Sequence, residues 1–394
     1  MLLGLGMGGY YAEQESVTTS SSSSPSSAPY TTSTSNQMSF SNGYYTQTYT
    51  NSQLNSQNKT ISLACKVLCA YVLITLRNSQ QVPVLQGTQV MIQVNWSSYA
   101  QYLAPNLDNV GFLDPIGNAL PAWCESSCNS SSTSSVVWIR LDQSIPALGY
   151  GVIRLDIFNE TVHTMSFVGF WGESPTSSPI YGEYDNGGMV FNYYDDFSVA
   201  VENPEWVTIG SGVTVDNGLT IVPSNASYSS IYSKIYSMYF SASGNIAAEA
   251  MAKRNSGGPL QIELSQTNSQ IGGSGLFENG YAVGVAEGVG GNSYGIWRLD
   301  ATNTALLASS STSYPAGYNL LSLYWEGSTV YNYVNYKKGI GVNDSTYKGS
   351  EYVSIWVYPS NAANYSVYYV RIRNLPPNNV MPSAVFGQPI MLVS

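Results

Sequence analysis

Residues 89–96 read QVMIQVNW, and their pattern decides the fold class. The apolar side chains of Val90, Ile92 and Val94 stand at every second position, which is the period of a strand with one buried face. The same alternation recurs further along the chain, at residues 153–157, 281–285, 353–357 and 368–372. No segment carries an apolar stripe of helical period over four turns. The sequence therefore predicts an all-β protein.

Turn residues separate these strand patterns. Asn-Gly pairs stand at 186–187 and 217–218, and Gly-Gly pairs stand at 272–273 and 290–291. Short strands at this spacing, without helices between them, are typical of β-sandwiches. The chain has 394 residues, which is enough for two domains. We therefore predict two β-sandwich domains of the jelly-roll type.

Composition places the domain boundaries. Residues 1–60 are rich in Ser, Thr, Tyr and Asn and hold too little aliphatic surface to offset chain entropy, which predicts a disordered tether. A Gly-, Asp- and Asn-rich segment at 181–197 separates two strand-rich blocks. We therefore expect sandwiches at 66–185 and 190–376, followed by a C-terminal strand or tail at 377–394.

The charge content narrows the function classes. Charged residues make up 10% of the chain, against roughly 25% in an average soluble domain, and Tyr occurs 32 times. Lys and Arg number 14 and Asp and Glu 24, which gives a net charge of −10. Such a surface repels phosphate backbones, so we expect no nucleic-acid partner. A polar, β-rich chain of low charge is typical of extracellular proteins.

Other features bear on the compartment. Seven N-x-S/T sequons permit N-glycosylation without proving it, and they begin at Asn58, Asn95, Asn129, Asn159, Asn225, Asn343 and Asn364. The apolar run at 61–76 contains Lys66 and is too short to span a bilayer comfortably, so we expect no transmembrane helix. The N-terminus lacks the basic region of a signal peptide, which leaves an upstream start or an unusual export route.

The four cysteines form two equally spaced pairs, Cys65 with Cys69 and Cys124 with Cys128. One or two disulfides are favoured, while a four-thiolate zinc site and free thiols remain open. Among the possible pairings we favour Cys124–Cys128, closing its own short loop.

Motifs for catalysis lack their required context. His163 is the only histidine, which excludes a histidine-cluster metal site, and we interpret it as a structural residue in a strand. The letters of a nucleophile elbow at 291–295 are followed by no histidine. Glu183 and Asp185 begin an E-x-D-x-x-E pattern of glycan hydrolases, but Gly188 replaces the third acid. We interpret this stretch as a turn with capping or solvated carboxylates and predict that the protein is not an enzyme.

Two sets of residues are candidates for binding. Asp185, Asp195 and Asp196 could supply oxygen ligands to calcium, although a structural turn is the alternative, and we expect no other cofactor. Tyr and Trp rings stack on the apolar faces of sugars. For any single ring, a place in the core or on the general surface is the favoured alternative. The sequence offers several such rings as weak candidates for a ligand site: Trp171, Tyr318, Trp325 and Tyr333.

The first strand-rich block resembles an archaeal surface domain of unknown function, the family numbered 2341. The resemblance is carried by YVLITLRNSQ at 71–80, LDNVGFLDPIGNALPAWCES at 107–126, VVWIRLDQSIPALGYGVIRLDIF at 136–158 and YGEYDNGGMVFNYYDDFS at 181–198. The family element D-x-x-G-x-x-L-x-x-W-x-E stands here as Asp114, Gly117, Leu120, Trp123 and Glu125.

This family is often followed by a concanavalin A-like (laminin G-like) jelly-roll sandwich, and residues 195–373 look like one. The resemblance implies an exposed archaeal or archaeal-virus protein and brings no established activity. The leading hypothesis is a non-enzymatic extracellular protein for adhesion or recognition, with glycans as the favoured ligand on fold analogy. The second is a structural subunit of a surface layer, filament or virion that contacts copies of itself. The third is a glycan-cleaving enzyme.

Overall fold

The computed structural model describes residues 37–41, 44–48, 67–167, 169–198, 206–223, 229–234, 245–256, 260–269, 278–286, 293–357 and 364–392. Within these ranges strands dominate, and the predicted all-β class with two β-sandwiches is confirmed. One short helix, α1, spans Gly187–Val190. Three 3-10 turns accompany it, at Trp96–Tyr102, Thr164–Ser166 and Pro377–Asn379.

A separate hairpin lies within the predicted N-terminal tether. Its strands are β1 (Gln37–Ser41) and β2 (Tyr44–Thr48), which pair antiparallel with Phe40 opposite Tyr45. The remainder of residues 1–60 lies outside the described ranges.

The first sandwich consists of two sheets. Sheet 1A contains β3 (Leu68–Arg77), β5 (Val110–Leu113), β6 (Ala119–Leu120), β9 (Tyr150–Phe158), β26 (Ser383–Phe386) and β27 (Ile390–Met391). Sheet 1B contains β4 (Gln89–Val94), β7 (Ala122–Ser126), β8 (Ser135–Arg140) and β10 (Trp171–Glu173). The strand order is β26-β3-β9-β5-β6 in sheet 1A and β10-β7-β8-β4 in sheet 1B. The alternating residues of the QVMIQV stretch send Val90 and Ile92 into the core between the two sheets.

The C-terminal strands belong to the first sandwich. Val385 of β26 pairs with Thr75 of β3, and Ile390 of β27 pairs with Tyr71 of the same strand. The chain therefore leaves the first sandwich, builds the second, and returns. The first sandwich is discontinuous in sequence.

The second sandwich is larger. Sheet 2A contains β11 (Tyr193–Asp195), β13 (Val213–Val215), β14 (Leu219–Ile221), β16 (Ile246–Ser256), β21 (Tyr318–Glu326), β22 (Thr329–Val334), β23 (Lys337–Asn343) and β25 (Asn364–Asn374). Sheet 2B contains β12 (Trp206–Ile209), β15 (Ser229–Lys234), β17 (Leu260–Ser265), β18 (Gly280–Ala286), β19 (Ser293–Asp300), β20 (Asn303–Ser313) and β24 (Tyr352–Val357). The strand orders are β13-β14-β25-β16-β21-β22-β23, with β11 on β25, and β12-β15-β24-β17-β18-β19-β20.

The predicted turns have mixed outcomes. Asn217 and Gly218 both have positive φ, at 50° and 116°, and connect β13 to β14, as their sequence predicts. Asn186 instead precedes helix α1, which begins at Gly187. Both Gly-Gly pairs lie outside the described residues.

The two sandwiches pack through aromatic side chains on the outer faces of sheets 1B and 2A. Trp123 and Trp138 come from sheet 1B, while Leu320 and Tyr369 come from sheet 2A. Phe191, which follows α1, completes the cluster, and the rings of Trp123 and Tyr369 lie 5.4 Å apart, edge to face. The outer faces of sheets 1B and 2A are therefore buried, and this contact orders four layers as 1A, 1B, 2A and 2B.

Four charged side chains lie buried in this contact: Glu125, Glu249, Arg371 and Arg373. Oε2 of Glu249 is 2.6 Å from Nε of Arg371, and its Oε1 is 3.0 Å from Nη2 of Arg373. Glu125 reaches Arg371 from the first sandwich at 3.2 Å. The four formal charges cancel, so the network stays neutral while every member is in place. Both guanidinium groups also lie over the Trp138 ring, at 4.8 and 4.7 Å from its centroid.

Replacing Glu249 with Gln is expected to destabilise the protein severely. Burial by itself raises the pKa of Glu249, but Arg371 and Arg373 outweigh burial and lower it to about 2. The loss of this carboxylate leaves two buried guanidinium groups with one opposing charge, at a cost of about 3–5 kcal/mol in the free energy of unfolding. Urea denaturation followed by circular dichroism measures the change.

A more exposed ion pair provides the matched control. Arg298 and Asp300 have side chains that are 28% and 30% exposed, with Nε and Oδ1 2.9 Å apart. Because solvent screens this pair, Asp300→Asn is expected to cost no more than about 1 kcal/mol. Equal losses for the two substitutions would contradict a special role for the buried network.

Candidate functional site

A cleft of about 450 Å³ opens where the two sandwiches meet. One wall is the loop between β3 and β4, which contributes Val82, Pro83 and Leu85. The other wall comes from the second sandwich and from the segment 374–378, which leads the chain back to the first sandwich. The cleft exists only because the aromatic and charged contacts hold the two sandwiches side by side.

Amide and carboxylate groups line the second wall. Glu326 lies at the end of β21, Asn245 immediately precedes β16, and Asn374 ends β25. Burial raises the pKa of the Glu326 carboxyl, and the nearby Lys338 ammonium lowers it in part. The half-buried Glu326 side chain is one of the residues that line the cleft. Asn378 completes the wall, and its amide donates to Oε1 of Gln80 at 2.9 Å.

Two tyrosines lie beside this cleft without being among its lining residues. Tyr331 and Tyr333 pack against the cluster that contains Leu375, a residue that lines the cleft. The Lys338 ammonium lies 4.0 Å from the centroid of the Tyr331 ring. The hydroxyl of Tyr333 accepts a hydrogen bond from the Asn379 amide at 3.0 Å. These contacts fix the orientation of two half-buried rings near the cleft, and Lys338 lies over one face of the Tyr331 ring.

The cleft lining offers groups that can bind a polar ligand. Acid-catalysed cleavage of glycosidic bonds ordinarily uses two carboxyl groups on opposite sides of the bond. Of the described lining residues, Glu326 alone carries a carboxylate. Carboxylate and amide groups can accept and donate hydrogen bonds to hydroxyls, and the prolines and leucines offer apolar contact.

Two of the predicted ligand-binding aromatics are core residues. Trp171 is 1% exposed, and its Nε1 donates to the Leu107 carbonyl at 3.0 Å. Trp325 is fully buried, and its Nε1 donates to the Gly327 carbonyl at 3.2 Å. Neither indole offers a ring face to a ligand, so the prediction is wrong for both. Large aromatic surfaces are buried here because each strand face is covered by a second layer.

The other two predicted aromatics are half-buried. Tyr318 stacks on Tyr368 with 3.8 Å between ring centroids, so one of its faces is occupied. Tyr333 stacks on Tyr324 at 4.2 Å, and its hydroxyl contacts Asn379, the neighbour of the lining residue Asn378. Tyr333 is therefore near the candidate site without lining it, and a ligand role for either tyrosine stays a prediction.

The three predicted calcium ligands have local hydrogen-bond partners. The Asp185 carboxylate accepts from Nε1 of Trp123 and the hydroxyl of Tyr194, and it also accepts from the backbone N–H two residues later. Asp195 accepts from Nε1 of Trp206 at 2.8 Å. Asp196 accepts from the backbone N–H of Ser198 at 3.0 Å, as in a turn.

These contacts make the three aspartates structural residues. In the described part of the chain, no group of three or more His, Cys, Asp or Glu side chains is arranged to hold a metal ion. The structure thus does not assemble the predicted three-carboxylate site. Asp185 does cap a backbone N–H, as the turn interpretation of its segment expects, and its side chain is half-buried.

The predicted Cys124–Cys128 disulfide is confirmed, with 6.0 Å between the two Cα atoms. Cys124 lies in strand β7 rather than in a loop. Cys69 is also disulfide-bonded, while Cys65 lies outside the described residues.

His163 does not lie in a strand, so this part of its interpretation is wrong. It precedes the 3-10 turn Thr164–Ser166, and its Nδ1 is 2.6 Å from Oδ2 of Asp108. The same carboxylate accepts the backbone N–H of Met165 at 2.9 Å, so the contact holds this turn.

The residues that line the cleft were missed by sequence reasoning. The signal available for one wall was the string NLPPNN at 374–379, in which three asparagines flank two prolines. Such a string predicts an ordered loop with amide groups, but it indicates no partner. No pattern in the sequence marks Glu326 as a site residue, because it directly follows Trp325. The two side chains point to opposite faces of the sheet because successive side chains alternate along β21.

Comparison with known proteins identifies one viral relative. No protein-family model matches the chain, so the resemblance to the archaeal surface family stays a prediction. "Uncharacterized protein 562" of Sulfolobus islandicus rod-shaped virus 1 is 28% identical over 237 residues, which cover 59% of this chain. The chain spans only 37% of the length of that relative.

Several solved structures resemble part of the chain. The carbohydrate-binding module CBM66 from Bacillus subtilis is 15% identical, with 43% of this chain and 96% of that one covered and a TM-score of 0.33. The Emp47p carbohydrate recognition domain is 12% identical, with coverage of 46% and 95% and a TM-score of 0.37. The VIP36 exoplasmic/lumenal domain bound to Ca²⁺ and Man3GlcNAc is 10% identical, with coverage of 44% and 84% and a TM-score of 0.35. At these TM-scores, what those proteins bind says nothing about this chain.

The helices that the structure describes are short, and none has the length and hydropathy needed to cross a membrane.

Asp185 is expected to make stability depend on pH. Burial raises the pKa of its carboxyl to about 7, although the Tyr194 hydroxyl and other donors lower it. Because the folded state holds this proton more tightly than the unfolded state does, the contribution of Asp185 is greatest at low pH. It falls as the pH rises from about 4 through 7. In urea denaturation across this range, the free energy of unfolding of wild type should fall more steeply with pH than that of Asp185→Asn, by at most about 1.4 kcal/mol per pH unit. Parallel pH profiles would contradict the assignment.

Proposed function

We propose that this chain is a non-enzymatic protein of a cell or virion surface that recognises glycans in the cleft between its two sandwiches. The observation that carries the proposal is the composition of the cleft. The half-buried Glu326 carboxylate and several amide groups line the cleft, and two tyrosines, Tyr331 and Tyr333, pack against the cluster of its lining residue Leu375. Sugars need this combination, because their hydroxyls require hydrogen-bond partners and their apolar ring faces favour aromatic contact.

The size of the cleft also fits a small ligand. Small-molecule sites in proteins usually occupy about 300–1,000 Å³, and this cleft measures about 450 Å³. A unit of two or three sugar residues therefore matches it better than a long polymer chain bound along its length.

An extracellular location is consistent with the cysteines. All three described cysteines are disulfide-bonded, and disulfides persist chiefly in oxidising compartments. The sequons permit glycosylation in such a compartment, and the viral relative supports the virion as one possible surface.

Binding is tested by isothermal titration calorimetry of the full chain with mannotriose, laminaritriose and chitotriose, each with calcium and with EDTA. The Glu326→Gln substitution should raise the Kd of the bound trisaccharide about tenfold or more, because hydrogen bonds to a charged acceptor contribute about 1.5–3 kcal/mol. Tyr331→Ala should also weaken binding, since it removes an aromatic ring that packs against the cluster of the lining residue Leu375.

Tyr318→Ala is the matched control, since Tyr318 is another half-buried tyrosine of sheet 2A whose ring stacks on Tyr368. The Tyr318→Ala variant should bind the trisaccharide with the affinity of wild type. No binding of any of the three sugars, or a loss of affinity only in Tyr318→Ala, would contradict recognition in the cleft. Release of reducing ends from these sugars would instead indicate a glycan-cleaving enzyme.

The second candidate function is a structural subunit that packs against copies of itself. The outer face of sheet 1A favours this function, because it exposes apolar side chains on neighbouring strands. Val385 of β26 is 63% exposed, and Leu73 of β3 and Val152 of β9 are 43% and 40% exposed. Adjacent exposed apolar residues on one sheet face are typical of protein interfaces.

If this face joins copies of the chain, Val385→Lys should lower the self-association constant at least tenfold. A charge in an apolar contact cannot be solvated and repels its own symmetry mate. Sedimentation equilibrium measures the constant, and Val207→Lys provides the control at an exposed valine of sheet 2B. A monomer at all concentrations, or equal effects of the two substitutions, would exclude association through sheet 1A.

A further inference from the structure

Glu125, which joins the first sandwich to the buried network, lies inside the five-residue loop that the Cys124–Cys128 disulfide closes. Cys124 is buried in the core of the first sandwich, and Cys128 packs against the same core. Both ends of this loop are therefore anchored in one sandwich, while its central carboxylate contacts the other.

The backbone ladder does not hold Glu125 in place. Cys124 pairs with Val137 and Ser126 pairs with Val136, so Glu125 is an extra residue that faces no partner on β8. The next residue but one, Ser127, has a φ of 57°, and the chain turns away from the strand there. At such a bulge the ladder is interrupted. The disulfide is the covalent restraint that spans the interruption.

The Glu125 carboxylate is the acceptor on which several donors converge. Its Oε2 accepts from Nε1 of Trp138 at 2.6 Å and from Nη1 of Arg371 at 3.2 Å. The hydroxyls of Tyr336 and Tyr369 also donate to this carboxylate. Three of these four donors belong to the second sandwich. A displacement of Glu125 would leave the buried network with one carboxylate for two guanidinium groups.

We propose that the Cys124–Cys128 disulfide positions Glu125 and thereby couples the two sandwiches. We call this disulfide the latch, because it closes a loop in the first sandwich and determines contacts of the second. Opening it frees the loop at the bulge, withdraws the carboxylate from Arg371 and loosens the contact between sheets 1B and 2A.

A double-mutant cycle on the full chain tests the coupling. Glu125→Gln is introduced into wild type and into the Cys124→Ala/Cys128→Ala variant, and unfolding in urea is measured for all four proteins. In wild type the substitution should shift the midpoint strongly. In the variant that lacks the disulfide, its shift should fall to a third or less, because Glu125 is already displaced. Equal shifts in the two backgrounds would overturn the proposal. Asp300→Asn, far from the latch, should give the same shift in both.

Hydrogen exchange of a Cys69→Ala chain, which lacks the other disulfide of the described cysteines, keeps the test decisive if the Cys124→Ala/Cys128→Ala variant does not fold. Tris(2-carboxyethyl)phosphine reduces the disulfide: each sulfur leaves as a thiol, and the phosphine takes an oxygen from water to become the phosphine oxide. Amide exchange should then accelerate in β25 around Arg371 and at residues 335–336, while β18 and β19 of sheet 2B stay protected. Acceleration confined to the first sandwich would show that the disulfide acts only locally and would overturn the proposal.

Discussion

The buried network of Glu125, Glu249, Arg371 and Arg373 is the constraint on which the arrangement of the two sandwiches depends. Charged groups out of contact with water are tolerated only while each has its opposite partner and its hydrogen bonds. Here the partners come from both sandwiches, and both guanidinium groups also lie over the Trp138 ring. A small rotation of one sandwich against the other would therefore cost far more than the loss of a few apolar contacts. In a chain with only 10% charged residues, this placement of four charges makes the contact specific.

The candidate site follows from that contact. The loop between β3 and β4 contains no group that pairs with Glu326. The NLPPNN segment by itself is only an amide-rich connection. When the two sandwiches lie side by side, the loop and the segment enclose a cleft with a single described carboxylate. Such a lining is suited to binding polyols. The disulfide beside Glu125 adds a second constraint on the cleft. This local covalent bond in the first sandwich determines a contact that positions both sandwiches.

Several features of this molecule could be predicted from the residues alone, and the failures share one cause. The strand at 89–94 and the Cys124–Cys128 bond depend on neighbours within a few positions, so local patterns were sufficient. Trp171 and Trp325 were weak candidates for a ligand site, yet both are core residues. Strand β21 is buried on both faces, because sheet 2A packs against sheet 2B on one side and sheet 1B on the other. Periodicity reveals one buried face and gives no information on a second covering layer.

The sequence by itself determined the all-β class, because the period of two in apolar residues and the turn residues between them are local properties. Which strands pair and which charged residues contact each other depends on the assembled tertiary structure. Arg371 is 246 positions from Glu125, and the C-terminal strand β26 pairs with β3 at the opposite end of the described chain. Which strands meet across such distances depends on the total burial and the satisfied charges of the complete fold. No segment carries that information alone, so the network, the cleft and the latch appear only once the four layers are assembled.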